Sequence, residues 1–82
     1  VENLSNLSLT YVLKGEYDTA LTFLLKAEKI NPNDTLVLNS IALVYKYKED
    51  KKRAIAYYKK IIELGDDEMK ELAKKEIKIL ER

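Results

Sequence analysis

Apolar residues recur along the chain at steps of three and four. Leu4, Leu7 and Tyr11 form one set, and Ala20, Leu21 and Leu24 the next, a spacing that puts each set on one face of a helix. Strand-like alternation is absent. Between the two sets lies KGEYD, where Gly15 can take the left-handed conformation that ends a helix after Lys14. A second helix is predicted from about Tyr17 to Ile30. Pro32 cannot continue it and disfavours helical geometry at Asn31, while Asn33 or Asp34 can accept the free amides of the helix that follows. The third helix is predicted over about Thr35 to Tyr47, with Leu38, Ile41, Ala42 and Tyr45 on one face. The fourth covers about Lys51 to Leu64, with Ala54, Ile55, Tyr58, Ile61 and Ile62. A last helix follows in DDEMKELAKKEIKILER, where Met69, Leu72, Ala73, Ile77 and Leu80 form a stripe.

The first and second helix pairs are copies. At an offset of 34 residues there are six identities: Leu4/Leu38, Leu9/Leu43, Tyr11/Tyr45, Lys14/Lys48, Ala20/Ala54 and Lys26/Lys60. Chance would produce roughly two at ordinary residue frequencies. The apolar matches Leu7/Ile41, Leu21/Ile55, Phe23/Tyr57 and Ile30/Leu64 strengthen the correspondence. Each copy is therefore a helical hairpin within an internal repeat.

A repeat of this length and form resembles the tetratricopeptide family, whose pattern runs W-x2-L-G-x2-Y, then Ala, an aromatic and Pro. In the first copy Leu7, Tyr11, Ala20 and Pro32 match. In the second, Ile41 stands at the Leu place and Ala42 at the Gly place, and Tyr45, Ala54 and Tyr58 match. Small residues at Ser8, Ala20, Ala42 and Ala54 let helix axes approach closely. The departures are Glu49 where Gly15 stands, Ile61 where Ala27 stands, and no proline at the second joint. They predict a second hairpin that turns less tightly and packs wider. The expected fold is all-α: an α-solenoid of two helix-turn-helix repeats plus a C-terminal capping helix in a single domain. Repeat 1 takes residues 1–34, repeat 2 residues 35–65 and the cap residues 66–82. Placing Met69, Leu72 and Ala73 where Leu38, Ile41 and Ala42 stand keeps the cap's apolar stripe on the core. A strict 34-residue step would put Lys75 and Glu76 there.

Composition narrows the function. The 82 residues include no cysteine and no histidine, which removes disulfides, thiolate or imidazole metal sites, thiol nucleophiles and histidine acid–base chemistry. No enzyme activity and no cofactor are expected. The acids Asp66, Asp67 and Glu68 suit a helix start, where each stabilises the helix dipole by about 0.3–1 kcal/mol, and lack the spacing of a calcium loop. The run KYKEDKKR lies among tyrosines, yet it contains Glu49 and Asp50, and the pI is near 8.0. Nucleic acid is therefore not expected as a partner. No apolar stretch is long enough for membrane insertion. The missing cysteine and missing signal segment make the cytoplasm the expected compartment.

In the family this chain resembles, the first helix of each hairpin lines a groove that holds an extended or helical peptide of a partner protein. The resemblance puts Leu9, Val12 and Leu13 of the first helix in that groove, with Leu36, Asn39, Leu43, Lys46 and Tyr47 of the third and Lys70 and Lys74 of the last. Leu9, Leu13, Leu43 and Tyr47 are not required by the core pattern. Exposed together, they would form a patch that marks an interaction site. Two readings stand: a protein–protein interaction module with a partly apolar groove, or a structural, self-associating segment of a longer array whose groove is filled by a neighbouring repeat or another copy. One subclass of the family clamps a peptide's terminal carboxylate with lysine and asparagine. The matching places here are Ser5, Leu9 and Ser40, so selective binding of acidic C-terminal peptides is not expected.

Overall fold

The computed structural model of the chain describes residues 8, 10–65 and 67–81. The places assigned to Leu4, Leu7 and Leu9 lie outside the described residues. Among the described residues five helical segments follow one another. Segment α1 is described at residues 8 and 10–13, α2 is Tyr17–Ile30, α3 is Thr35–Tyr47, α4 is Lys51–Leu64 and α5 is Asp67–Leu80. Helix α2 packs on α3, α3 on α4, and α4 on α5.

Local chemistry explains the boundaries. Of the two candidates for starting α3, Asp34 is the cap: its Oδ1 accepts from the Leu36 N–H at 3.0 Å. Asp50 does the same for α4, accepting from the Arg53 N–H at 3.2 Å. Such caps each stabilise a helix by about 1 kcal/mol.

The two hairpin turns are alike. In the first, Glu16 N–H donates to the Tyr11 carbonyl at 2.8 Å and Gly15 N–H to Val12 at 3.0 Å. In the second, Asp50 N–H donates to Tyr45 at 2.9 Å and Glu49 N–H to Lys46 at 3.1 Å. Both are the paired bonds that close a helix through one left-handed residue. Gly15 has φ 82 and Glu49 has φ 63, so the glutamate does not loosen the turn as the sequence suggested. It bears the strain instead. A non-glycine residue there costs about 1–2 kcal/mol, against about 0.5–1 kcal/mol for glycine's extra chain entropy. Glu49→Gly is therefore expected to stabilise the fold by a few tenths to about 1 kcal/mol, read as a higher urea midpoint. A lower midpoint would count against strain at this turn.

The core has two clusters, with α3 between them. Val37, Ile41 and Val44 of α3 meet Ala20, Leu21, Leu24 and Ala27 of α2. Leu38 and Ala42 of α3 meet Ala54, Tyr58 and Ile61 of α4, together with Ala73 and Leu80 of α5. Helix α3 is thus apolar on two sides. The hairpin equivalence recurs in the rings: Tyr11 stacks on Phe23 at 5.6 Å and Tyr45 on Tyr57 at 5.9 Å between centroids. Offset stacking of this kind stabilises each hairpin by about 0.5–1.5 kcal/mol beyond area.

The cap keeps part of the expected pattern and departs at one place. Ala73, assigned to the place of Ala42, is buried as that place requires, whereas Leu72, assigned to the buried place of Ile41, is 46% exposed. The same cluster accommodates Ile61. In the first cluster the small Ala27 accompanies the large Ile41, and in the second the large Ile61 accompanies the small Ala73. Bulk has moved from one helix to the other, which keeps the packed volume filled.

Candidate protein-binding groove

The open face of α3 is set by elimination. With Val37, Ile41 and Val44 turned to α2 and Leu38 and Ala42 to α4, helical spacing leaves Leu36, Asn39, Leu43, Lys46 and Tyr47 on the remaining side. Leu36 is 68% exposed, Tyr47 51%, and Asn39 and Leu43 are half-buried. Ser40 lies beside them, its hydroxyl donating to the Leu36 carbonyl at 3.0 Å.

Helices α1 and α5 flank this face. Val12 and Lys46 hold equivalent places in the two repeats, and each reaches toward the next first-helix. Val12 packs against the first core cluster, so it serves the core more than a ligand. Lys46 Nζ donates to Glu76 of α5 at 2.9 Å, an ion pair in which Glu76 is only 17% exposed. That pair tells which side of α5 borders α3. Leu72 and Ile79 are four residues before and three after Glu76, so they share its stripe.

Lys70 and Lys74 are therefore not neighbours of the α3 face. They lie across Ala73 from Glu76, with Lys70 half-buried and Lys74 exposed. The residues that replace them are Leu72, 46% exposed, and Ile79, 53% exposed. The spacing of Leu72 from Met69 and Ala73 fits either side of the helix. Only a known contact such as Lys46–Glu76 separates the two.

Leu13 of α1 is 87% exposed, and Tyr47 and Ile79 are exposed near the C-terminal ends of α3 and α5. Leu36 and Leu43 lie on the same side of α3 as Tyr47. Leu9 falls outside the described residues. Tyr47 is braced from the side by Tyr17, their centroids 5.9 Å apart and their planes 17° from parallel. Lys48 pairs with Asp18 next to it. These contacts tie the C-terminal end of α3 to the start of α2.

The electrostatics are local. Tyr57 donates its hydroxyl to Glu28 at 3.2 Å, and Lys60 approaches the same carboxylate at 3.6 Å, joining α2 to α4. Burial, then Glu28, pushes the Tyr57 phenol up to about 12. Burial, then Glu76, does the same to Tyr58. With Arg53 over the Tyr45 ring at 5.8 Å and Tyr45 stacked on Tyr57, the tyrosines near the basic run are occupied within the protein. Among the described residues no cluster of carboxylates suits a metal ion, and no helix is long and apolar enough to cross a membrane.

No curated protein and no solved structure matches the chain. A family model described as a tetratricopeptide repeat matches residues 1–34 and again 37–65. These stretches take in the two hairpins that repeat the Schellman-type turn and the stacked rings, and the chain belongs to the tetratricopeptide repeat family.

Proposed function

We propose that this chain binds a peptide or helix of another protein across the face formed by α1, α3 and α5, and that it does so without catalysis. Tetratricopeptide repeats mediate protein–protein interaction. The observation that carries the specific reading is the distribution of exposed apolar side chains. Five of the exposed large apolar side chains, Leu13, Leu36, Tyr47, Leu72 and Ile79, belong to α1, α3 and α5, and neither core cluster uses them. Contiguous exposed apolar surface of this kind marks interaction sites. Its rim carries Lys75 and Glu68, which would orient a partner more than hold it.

Leu13→Glu combined with Leu36→Glu tests this at two ends of the face, where both side chains are exposed and the fold does not depend on them. The expected result is at least about a tenfold loss of affinity for proteins captured by the unaltered chain, corresponding to about 1.4 kcal/mol, with helicity and melting unchanged. Capture of the same proteins at the same affinity would sink the assignment.

A further inference from the structure

Of the helices α2 to α5, α5 is held by the fewest buried side chains. Among the described residues these are Ala73 and Leu80, with Met69 and Ile77 partly buried. The helix packs mainly on α4, and Glu76 ties it to Lys46 of α3 at 2.9 Å. Its seat is far better buried than the helix itself. Leu38 and Ala42 of α3 and Tyr58 and Ile61 of α4 are each at most 1% exposed. Lifting α5 away uncovers them, and apolar surface of that extent is costly to leave in water. An empty seat is therefore refilled.

The joint before α5 is short and tight. Residues 65 and 66 alone separate α4 from α5. A Cβ at Gly65 would crowd the Ile61 carbonyl oxygen and the Met69 Cβ, so the closed turn suits glycine alone. Ile61, Gly65, Met69 and Ala73 follow one another at steps of four. A helix continued through the joint keeps them along one side, so the joint can straighten without breaking the apolar stripe. A straight joint carries α5 away from its own seat.

We propose that α5 exchanges between two copies of the chain, the joint at Gly65 straightening so that each α5 fills the seat on α3 and α4 of the other copy. The occupant is a second copy because α5 is the helix that the seat already holds. The exchanged contacts repeat those of the closed chain, with Glu76 of each copy meeting Lys46 of the other. Exchange of an identical element is a low-cost route to a dimer, and reciprocity closes it at two copies. Seating within one chain acts at an effective concentration of about millimolar. The exchanged form is therefore minor in dilute solution and grows as the chain is concentrated. It does not depend on the proposed partner groove.

Refolding from urea at a series of concentrations, followed by sedimentation velocity, tests the exchange. The unaltered chain is expected to give a dimer whose fraction rises with the concentration at refolding and is plain at about 1 mM. Gly65→Ala should raise the association constant at least about tenfold, because the methyl group is crowded in the closed turn and free in a straight one. The Lys46–Glu76 pair identifies the seat. Lys46→Glu and Glu76→Lys each put like charges across it within a closed chain. Refolded together, the two variants regain opposite charges at both seats only by exchanging α5. In about 0.5 M salt, where exposed charges are screened, the mixture should form heterodimers well beyond the dimer of either variant alone. Both changes in one chain restore the closed pair and should return the behaviour of the unaltered chain. A mixture no more dimeric than its parents overturns the exchange. So does the absence of dimer from Gly65→Ala, or from the unaltered chain at about 1 mM.

Discussion

Replacing Tyr58 with alanine is expected to remove about 3–5 kcal/mol of stability, a large share of what a chain of this size has, since 82 residues at ordinary per-residue values hold roughly 4–12 kcal/mol. Tyr58 is the largest fully buried side chain, 1% exposed, in the cluster where α3, α4 and α5 meet. Removing its ring leaves a cavity bordered by three helices that cannot all collapse into it. Thermal melting followed by circular dichroism should register a midpoint lower by about 12–40 °C. A loss under about 1 kcal/mol would mean that the cluster relaxes far more than packed cores do.

Tyr58→Phe isolates the hydroxyl. In the folded chain burial first, then the Glu76 carboxylate, then Tyr47, holds the phenol neutral up to about 12, against about 10 for a free tyrosine. A raised pKa means the folded state keeps its proton where the unfolded state has lost it. The contribution is fully present below pH 10 and disappears as the pH climbs from 10 to 12. At the upper end the fall is about 2–3 kcal/mol from this residue, with Tyr57 acting in the same direction. The phenylalanine variant should therefore show a flatter loss of stability over that window. An unchanged slope would place the alkaline sensitivity elsewhere.

Gly65→Ala is expected to destabilise by about 1–3 kcal/mol, through overpacking rather than through backbone strain. Gly65 has an ordinary extended conformation, φ −81 and ψ 168. A methyl group there would lie 2.8 Å from the Ile61 carbonyl oxygen and 2.9 Å from the Met69 Cβ. Both obstacles are anchored to helix backbone and cannot swing away, so α5 would have to move off α4. Hydrogen exchange should reveal the shift as earlier opening of α5 amides relative to those of α3. Equal protection in both proteins would show that the joint has slack. Gly15 behaves differently, since nothing lies near its missing Cβ and only its positive φ requires glycine.

Gly65 also explains the second joint. The absence of proline after α4 does not relax the connection there, because close approach of α5 depends on a residue with no side chain at all. At the first joint Pro32 ends α2 and Asp34 starts α3. The two joints reach a similar result by different means.

The path from sequence to fold was short for the hairpins. Helix bounds at Tyr17, Ile30, Thr35, Tyr47, Lys51 and Leu64 agree with the pattern of apolar spacing, glycine, proline and caps, because all those signals are local. Val37 and Val44, fully buried against α2, were not assigned to the core. A single-face rule has no place for a helix packed on two sides. Glu49 was expected to loosen its turn, yet the Schellman bonds hold it in the left-handed region, because the surrounding hairpin outweighs a strain of about 1–2 kcal/mol.

By itself the sequence determined the helices, the repeat, the family and a chemistry without cysteine or histidine, since each depends on residue identity and spacing along one chain. Tertiary structure alone decided the face of the cap. Along an amphipathic helix with apolar residues at Met69, Leu72, Ala73, Ile77 and Leu80, a modest rotation about the axis is nearly neutral in local terms. The decision came from packing against α4, where Ile61 and Gly65 accept Ala73 and Met69, and from the Lys46–Glu76 pair that joins α5 to α3. That rotation turned Lys70 and Lys74 away from α3 and brought Leu72 and Ile79 beside it.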